Sequence, residues 1–287
     1  MLTDQPSRTA QRVAVRRVTH QIWDHPRVFD DPLALRIIGP EKAAEVAPAK
    51  PGETAFDRHL RAFIVARSRY AEDQLAEAVA RGTTQYVVLG AGLDTFAYRN
   101  PFPDLRIFEV DHPATQAWKR RLLAAVGISI PASLTFVPVD FGKETLAHGL
   151  ERAGFCAGQP AFFSWLGVTP YLAKETVLGT LRWLISICPG NGIVFDYAVP
   201  RSSLSAAARR AFDALANRVA RAGEPFVGFF DPQELAHDLQ RMGFAHIEDL
   251  GSNEINVRYF SNRSDDFRVG TGGRLMCAKG EESGDRA

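Results

Sequence analysis

Three acidic side chains stand where short apolar runs stop: Asp94 just past YVVLGAG, Asp111 at the end of RIFEVD and Asp140 at the end of LTFVPVD. Gly90, Ala91 and Gly92 form a Gly-x-Gly turn ahead of Asp94. Two glycines permit a tight turn and a close backbone approach to a ligand that a Cβ would obstruct. A strand followed by such a turn is how a parallel sheet opens a nucleotide pocket. The third position of the diphosphate fingerprint is Thr95, so GxGxxG is incomplete. Asp111 follows Gly90 by 21 residues, where a strand-end carboxylate can accept both hydroxyls of an adenosine ribose, in NAD or in S-adenosyl-L-methionine (SAM) alike. Glu109 is the competing acid. Asp140 can accept from an adenine amino group, with Phe141 near the ring, and an NAD site does not require this second acid.

The elements that must position these residues read as alternating strands and helices. Strands are expected over 86–90, 106–110, 134–139, 162–168 and 192–199, with helical stretches HPATQAWKRRLLAAVG, KETLAHGLERAG and KETVLGTLRWLISIC between them. In the last helix Val177, Leu178, Leu181, Leu184 and Ile185 share one face, and Pro189-Gly190 ends it. Repeated strand and helix give a parallel sheet covered on both sides. A charged helix over 203–222 follows, then one with Asp231 at the N-cap, Pro232 first and Gly243 at its end. Two more strands, 246–250 and 274–279, are expected to be joined with no helix between them, as an antiparallel pair. The expected fold class is α/β: a seven-stranded, Rossmann-like class I methyltransferase sheet with an antiparallel last pair and an N-terminal helical cap.

Three parts are expected along the chain: a helical cap over 1–80 above the C-terminal edge of the sheet, a core over 81–280 with a helical insertion near 200–230, and a flexible tail over 281–287. At 287 residues, one large core is the simpler reading. The 34 basic and 33 acidic residues balance to +1, which leaves no footprint for nucleic acid. Lys119, Arg120 and Arg121 read as the solvated face of a helix. No apolar run is long enough to span a bilayer, and no secretion signal opens the chain. Cys156, Cys188 and Cys277 lack CxxC spacing, so neither a metal site nor a disulfide framework is expected. These features fit a cytoplasmic enzyme with reduced thiols.

GAGLDTFAYR, FEVDHP, VDF and WLGVTPYL, in this order and preceded by VARSRY, closely resemble the leucine carboxyl methyltransferase superfamily, in particular its bacterial SAM-dependent branch. The resemblance runs from FDDPLA at 29–34 to the GIVFDYAV strand. It implies that Arg67 binds the methionine carboxylate of SAM, a task suited to a planar guanidinium. It further implies that the Gly90–Gly92 turn passes the methionine part, Asp111 takes the ribose hydroxyls, and Asp140 with Phe141 holds the adenine. Tyr171 occupies the family position facing the pocket. Leu166 stands where the family commonly carries glutamate, with Asp94 and the carbonyls of the glycine turn as compensating groups.

The leading function is therefore SAM-dependent O-methylation of a carboxylate or hydroxyl on a small molecule. Its rivals are an NAD(P)-dependent oxidoreductase and a catalytically degenerate SAM-binding protein. None of His20, His25, His59, His112 and His237 is singled out as a base. The acceptor pocket is expected from the cap, from the segment after Val199 including 223–230, and from Arg258 with Tyr259.

Overall fold

The computed structural model describes residues 7–46, 52–141, 143–221 and 223–281. Residues 282–287 of the expected tail lie outside them. In chain order the elements are α1 (Arg8–Trp23), α2 (Ala34–Ile37), α3 (Pro40–Val46), α4 (Ala55–Ala80), β1 (Gln85–Leu89), β2 (Arg106–Asp111), α5 (Pro113–Ala125), β3 (Leu134–Pro138), α6 (Leu146–Arg152) and β4 (Ala161–Trp165). Next come α7 (Lys174–Ile187), β5 (Gly192–Ala198), α8 (Ala206–Arg221), α9 (Pro232–Met242), β6 (His246–Leu250), α10 (Ser252–Phe260) and β7 (Gly273–Lys279).

The seven strands form one sheet in the order β3-β2-β1-β4-β5-β7-β6. The first five run parallel, while β7 pairs antiparallel with both β5 and β6. Strand order reverses between β1 and β4, and open α/β sheets bind ligands beyond the carboxyl ends of their strands at such a switch point.

Side chains alternate between the sheet faces with the period of a strand. Tyr86, Val88, Ile107, Phe162 and Val194 meet one core, and Val87, Leu89, Phe108, Phe163 and Phe195 meet the other. On the second face α7 buries Val177, Leu181, Leu184 and Ile185, while Leu178 is only partly covered. Each of the four contributes roughly 1.5–3 kcal/mol by leaving water. Helix α9 begins and ends as expected, since Asp231 accepts from the Gln233 and Glu234 N–H groups and Gly243 takes a left-handed φ of 105°.

Four expectations change. Strand β4 stops at Trp165, because the chain turns away at Leu166–Val168. Helix α10 interrupts the path from β6 to β7; the Glu254 carboxylate accepts from the Gly251 N–H, and Ile255 and Phe260 supply its buried side. Lys119 faces inward from α5, only 1% exposed, to reach Glu109, while Arg120 and Arg121 stay in solvent. Finally, α4 is more than part of a cap. Its Ala62, Val65, Ala66, Tyr70, Leu75 and Ala78 lie against the first sheet face and complete its core.

Candidate functional site

The glycine turn grows directly from β1. The N–H groups of Gly90 and Ala91 both donate to the Val110 carbonyl, at 2.8 and 3.1 Å, which welds the turn to the end of β2. Gly90 and Gly92 have φ of 67° and 48°, a region that side chains other than glycine rarely enter. Space is limited as well: a Cβ on Gly90 would lie 2.4 Å from Val168 Cγ2, and one on Gly92 would lie 3.1 Å from Ala10 Cβ in α1.

Asp111 closes the turn from below. Its Oδ2 accepts from the Gly92 N–H at 2.6 Å and its Oδ1 from the His112 N–H at 2.7 Å. Burial pushes the carboxyl above the ordinary aspartate value, and the two N–H groups pull it back in part. Each carboxylate oxygen has about two lone pairs, so acceptor capacity remains after both bonds. Glu109, the rival acid, is fully buried and its Oε2 accepts from Lys119 Nζ at 2.7 Å, which takes it out of the contest. Asp94 lies at the rim: its Oδ1 accepts from the Phe96 N–H at 2.8 Å, and its Oδ2 stands 3.6 Å from Arg17 Nη1.

Asp140 follows β3, with its Oδ2 3.0 Å from the Lys143 ammonium. The Phe141 ring beside it is 66% exposed, an open apolar face at the same sheet edge.

Arg67 arrives from α4. Its Nη1 donates to Asp196 Oδ2 at 2.8 Å, and both side chains are buried. Arg69 points outward to Asp73 and is half exposed. Of the two arginines in ARSRY, therefore, only Arg67 reaches the sheet. The WLGVTPYL segment crosses above it: the Gly167 N–H donates to Asp196 Oδ1, and the Thr169 hydroxyl donates to the Asp196 carbonyl. Leu166 packs against the apolar core of the α4 face. Tyr171 ends this turn with its ring 5.1 Å from that of Phe226, and burial pushes its phenol up to about 12.

Two further elements lie over the turn. Helix α1 is fastened to it by Arg17, which donates to Asp31, to the Thr95 hydroxyl at 2.7 Å and to the Leu93 carbonyl. Burial alone would raise the Asp31 carboxyl, but Arg17 and Arg99 outweigh it and hold it low. At the start of α1, the hydroxyls of Ser7 and Thr9 both donate to Glu224, in the loop after α8. That loop is anchored to the turn at 169–171, because the Val227 and Gly228 N–H groups donate to the Pro170 carbonyl.

The structure thus gathers Gly90, Ala91, Gly92, Asp94, Asp111, Asp140 and Phe141 on the β1–β3 side of the switch point, and Arg67 with Tyr171 on the β4–β5 side. Arg258 and Tyr259 are committed elsewhere, to Glu248 and Asp73. Sequence reading passed over Asp196, Glu224, Arg17 and Asp31. Asp196 had a usable signal, a lone acid inside the apolar strand VFDYAV, since charged groups are rarely buried unless paired.

A Rossmann-like sheet with a tight glycine turn after β1, a carboxylate at the end of β2 and an antiparallel last strand is the architecture of class I methyltransferases. The leucine carboxyl methyltransferase family description matches residues 10–185, and the chain belongs to that family. A relative in Bacillus subtilis (strain 168), named "Putative S-adenosyl-L-methionine-dependent methyltransferase YktD", is 33% identical over 291 residues, covering 93% of this chain and 95% of that one. One of the same designation in Saccharopolyspora erythraea is 33% identical over 200 residues, covering 68% and 69%. A solved protein of Thermobifida fusca YX, described as a "putative methyltransferase", superposes with a TM-score of 0.59 at 15% identity over 97% of this chain and 96% of that one, a likeness of fold. The chain is a SAM-dependent methyltransferase, and the oxidoreductase reading falls. Among the described residues no helix is long and apolar enough to cross a membrane.

The donor set suits SAM. Asp111 keeps acceptor capacity for hydroxyls, Phe141 offers an open ring, and no glycine completes a diphosphate cradle.

Proposed function

We propose that this enzyme methylates oxygen, transferring the methyl group of SAM to a carboxylate on a small molecule. SAM supplies a methyl carbon on a sulfonium, and the acceptor oxygen bonds to that carbon as the carbon–sulfur bond breaks and its electron pair leaves with sulfur. The residues' tasks are binding, alignment and exclusion of water. In this reading Asp111 accepts the ribose hydroxyls with the lone pairs that Gly92 and His112 leave over. Asp140 accepts from the adenine amino group and Phe141 covers the ring. Gly90, Ala91 and Gly92 give the amino-acid part a flat backbone surface, with Asp94 at its edge. Arg67 takes the carboxylate of that part, and Tyr171 donates its hydroxyl near the transfer point, protonated throughout the neutral range.

The observation that carries the carboxylate reading is the engagement of His112, beside Asp111, and of His20 in α1. His112 Nδ1 accepts from the Ala114 N–H at 3.2 Å, and buried His20 lies between the Asp24 carboxylate and the N–H groups of Val28 and Phe29. A carboxylate nucleophile is already ionised at neutral pH and needs no base. The family's name for carboxyl methylation agrees with this. A hydroxyl acceptor is the second reading, favoured by Glu224 beside Tyr171, a carboxylate able to take the released proton.

Incubation with methyl-labelled SAM and a panel of small carboxylic and hydroxylated acids tests both. Label released as methanol by mild alkali marks a methyl ester and supports the first reading. Alkali-stable label on oxygen marks an ether and supports the second. Label on nitrogen or carbon, or binding of SAM with no transfer across the panel, overturns oxygen methylation.

A further inference from the structure

We propose that Asp196 is the positioning residue of the methyl-donor site: it sets the direction of Arg67 and locks that arginine to the turn that carries Tyr171. The inference rests on the assignment of Arg67 to the amino-acid end of SAM.

The strand dictates where Asp196 points. In β5, Val194 faces the α4 side of the sheet while Phe195 and Tyr197 face the other. Alternation therefore turns Asp196 toward α4, where Arg67 waits. The ladder pairs Trp165 with Phe195, so Asp196 is one step beyond the last pair, beside the point where Leu166 leaves β4. An acid is thus delivered to this corner from β5, next to the position where the resemblance expects glutamate and the chain has leucine.

Three bonds converge on this one residue. Asp196 Oδ2 accepts from Arg67 Nη1 at 2.8 Å, its Oδ1 accepts from the Gly167 N–H, and its carbonyl accepts from the Thr169 hydroxyl. Arg67 is pinned on its other side by Gly167, whose φ is 73° and where a Cβ would lie 2.6 Å from Nη2. With one nitrogen held by the carboxylate and the fork set against a residue without a side chain, the guanidinium has little room to turn.

Stability alone does not account for the arrangement. A buried ion pair returns little net stability, and apolar residues of similar volume often serve as well or better. Pairing does fix direction, which recognition of a carboxylate by a planar fork demands. Through Gly167 and Thr169 the same acid also sets the path of the backbone to Tyr171, two residues further on. Asp196 therefore couples the donor's amino-acid end to the wall of the acceptor side without touching either ligand.

The test compares two ligands that share an adenosine and a thioether but differ in the amino-acid end: S-adenosylhomocysteine has it, and 5′-methylthioadenosine does not. Calorimetric titrations of wild type, Asp196→Asn, Asp196→Glu, Arg67→Ala and the Asp196→Asn/Arg67→Ala double variant are compared, with thermal melting as a fold control. Asp196→Asn should weaken S-adenosylhomocysteine about tenfold or more, as expected for a misdirected charged hydrogen bond, and leave methylthioadenosine unchanged. In the double variant it should add no loss to that of Arg67→Ala. If Asp196→Asn does not fold, Asp196→Glu, which keeps the charge but displaces it, should show the same selective loss. Equal losses for both ligands, or no loss in either variant, would overturn the positioning role. Wild type that binds neither ligand would instead overturn the donor-site reading. Wild type that does not discriminate between them would overturn the Arg67 assignment.

Discussion

Asp111 and Asp196 close the two halves of one sheet edge, and they are neutralised in different ways. Asp111 is held by the N–H groups of Gly92 and His112, so the backbone compensates its charge in part and leaves acceptor capacity on both oxygens. Asp196 spends one oxygen on the Arg67 guanidinium and the other on the Gly167 N–H. The β1–β3 half is thus prepared by chain geometry, through glycines in left-handed conformations. The β4–β5 half is prepared by a side-chain pair brought together from residues 129 apart in sequence. Side-chain changes at the first half should act on the ligand, whereas changes at the second should act on the fold and the ligand together.

Breaking the side-chain pair gives the largest expected effect. Arg67→Ala leaves the Asp196 carboxylate buried without its cation and should cost about 3–5 kcal/mol in a denaturant titration; a loss below about 1 kcal/mol would mean the two halves do not differ in this way. Next is the backbone of the first half. Gly90→Ala forces a Cβ at φ 67° to within 2.4 Å of Val168 Cγ2 and should destabilise by about 1–3 kcal/mol. A neutral result there would show that the turn can relax.

Asp140→Ala should leave the melting temperature nearly unchanged and weaken SAM by about 1–3 kcal/mol, because an adenine donor loses its acceptor. Unchanged affinity would remove Asp140 from the site. Arg69→Ala, at a half-exposed pair, should cost under about 1 kcal/mol and far less than Arg67→Ala. The reverse order would exchange their roles.

A pH series sharpens the contrast from underneath the first half. Burial pushes the Glu109 carboxyl up to about 7 from an ordinary value of 4.5, and Lys119 opposes this only in part. Between those values the folded chain holds a proton that the unfolded chain has released. Stability from this group is therefore complete below 4.5 and declines as pH rises toward about 7. Glu109→Gln should flatten that slope in melts across the window, and a persistent slope would place its origin elsewhere.

How much of this was legible in the sequence follows the same division. The β1–β3 half reads locally: the glycine turn, Asp111 and Asp140 each announce themselves by position after an apolar run, and the structure places all of them at one edge. All seven strands were visible because their alternation is short and regular. Arg67 was chosen over Arg69 only through resemblance, since helical spacing alone does not say which of two nearby arginines faces in. Its partner Asp196 required knowing that α4 lies across β5, a long-range fact. Helix α10 was missed because Ile255 and Phe260 are too few to mark a helical face. Lys119 was misread as solvated because its burial depends on Glu109, on the neighbouring strand. The bonds between Glu224 and the hydroxyls of Ser7 and Thr9 span more than 200 residues and leave no local trace.

The two halves are expected to hold opposite ends of one ligand, and a crystal structure with S-adenosylhomocysteine decides whether they do. The ribose hydroxyls should then lie within hydrogen-bond distance of Asp111 and the amino-acid carboxylate within hydrogen-bond distance of Arg67. A ligand whose ribose sits on Asp111 while its carboxylate lies away from Arg67 would contradict it.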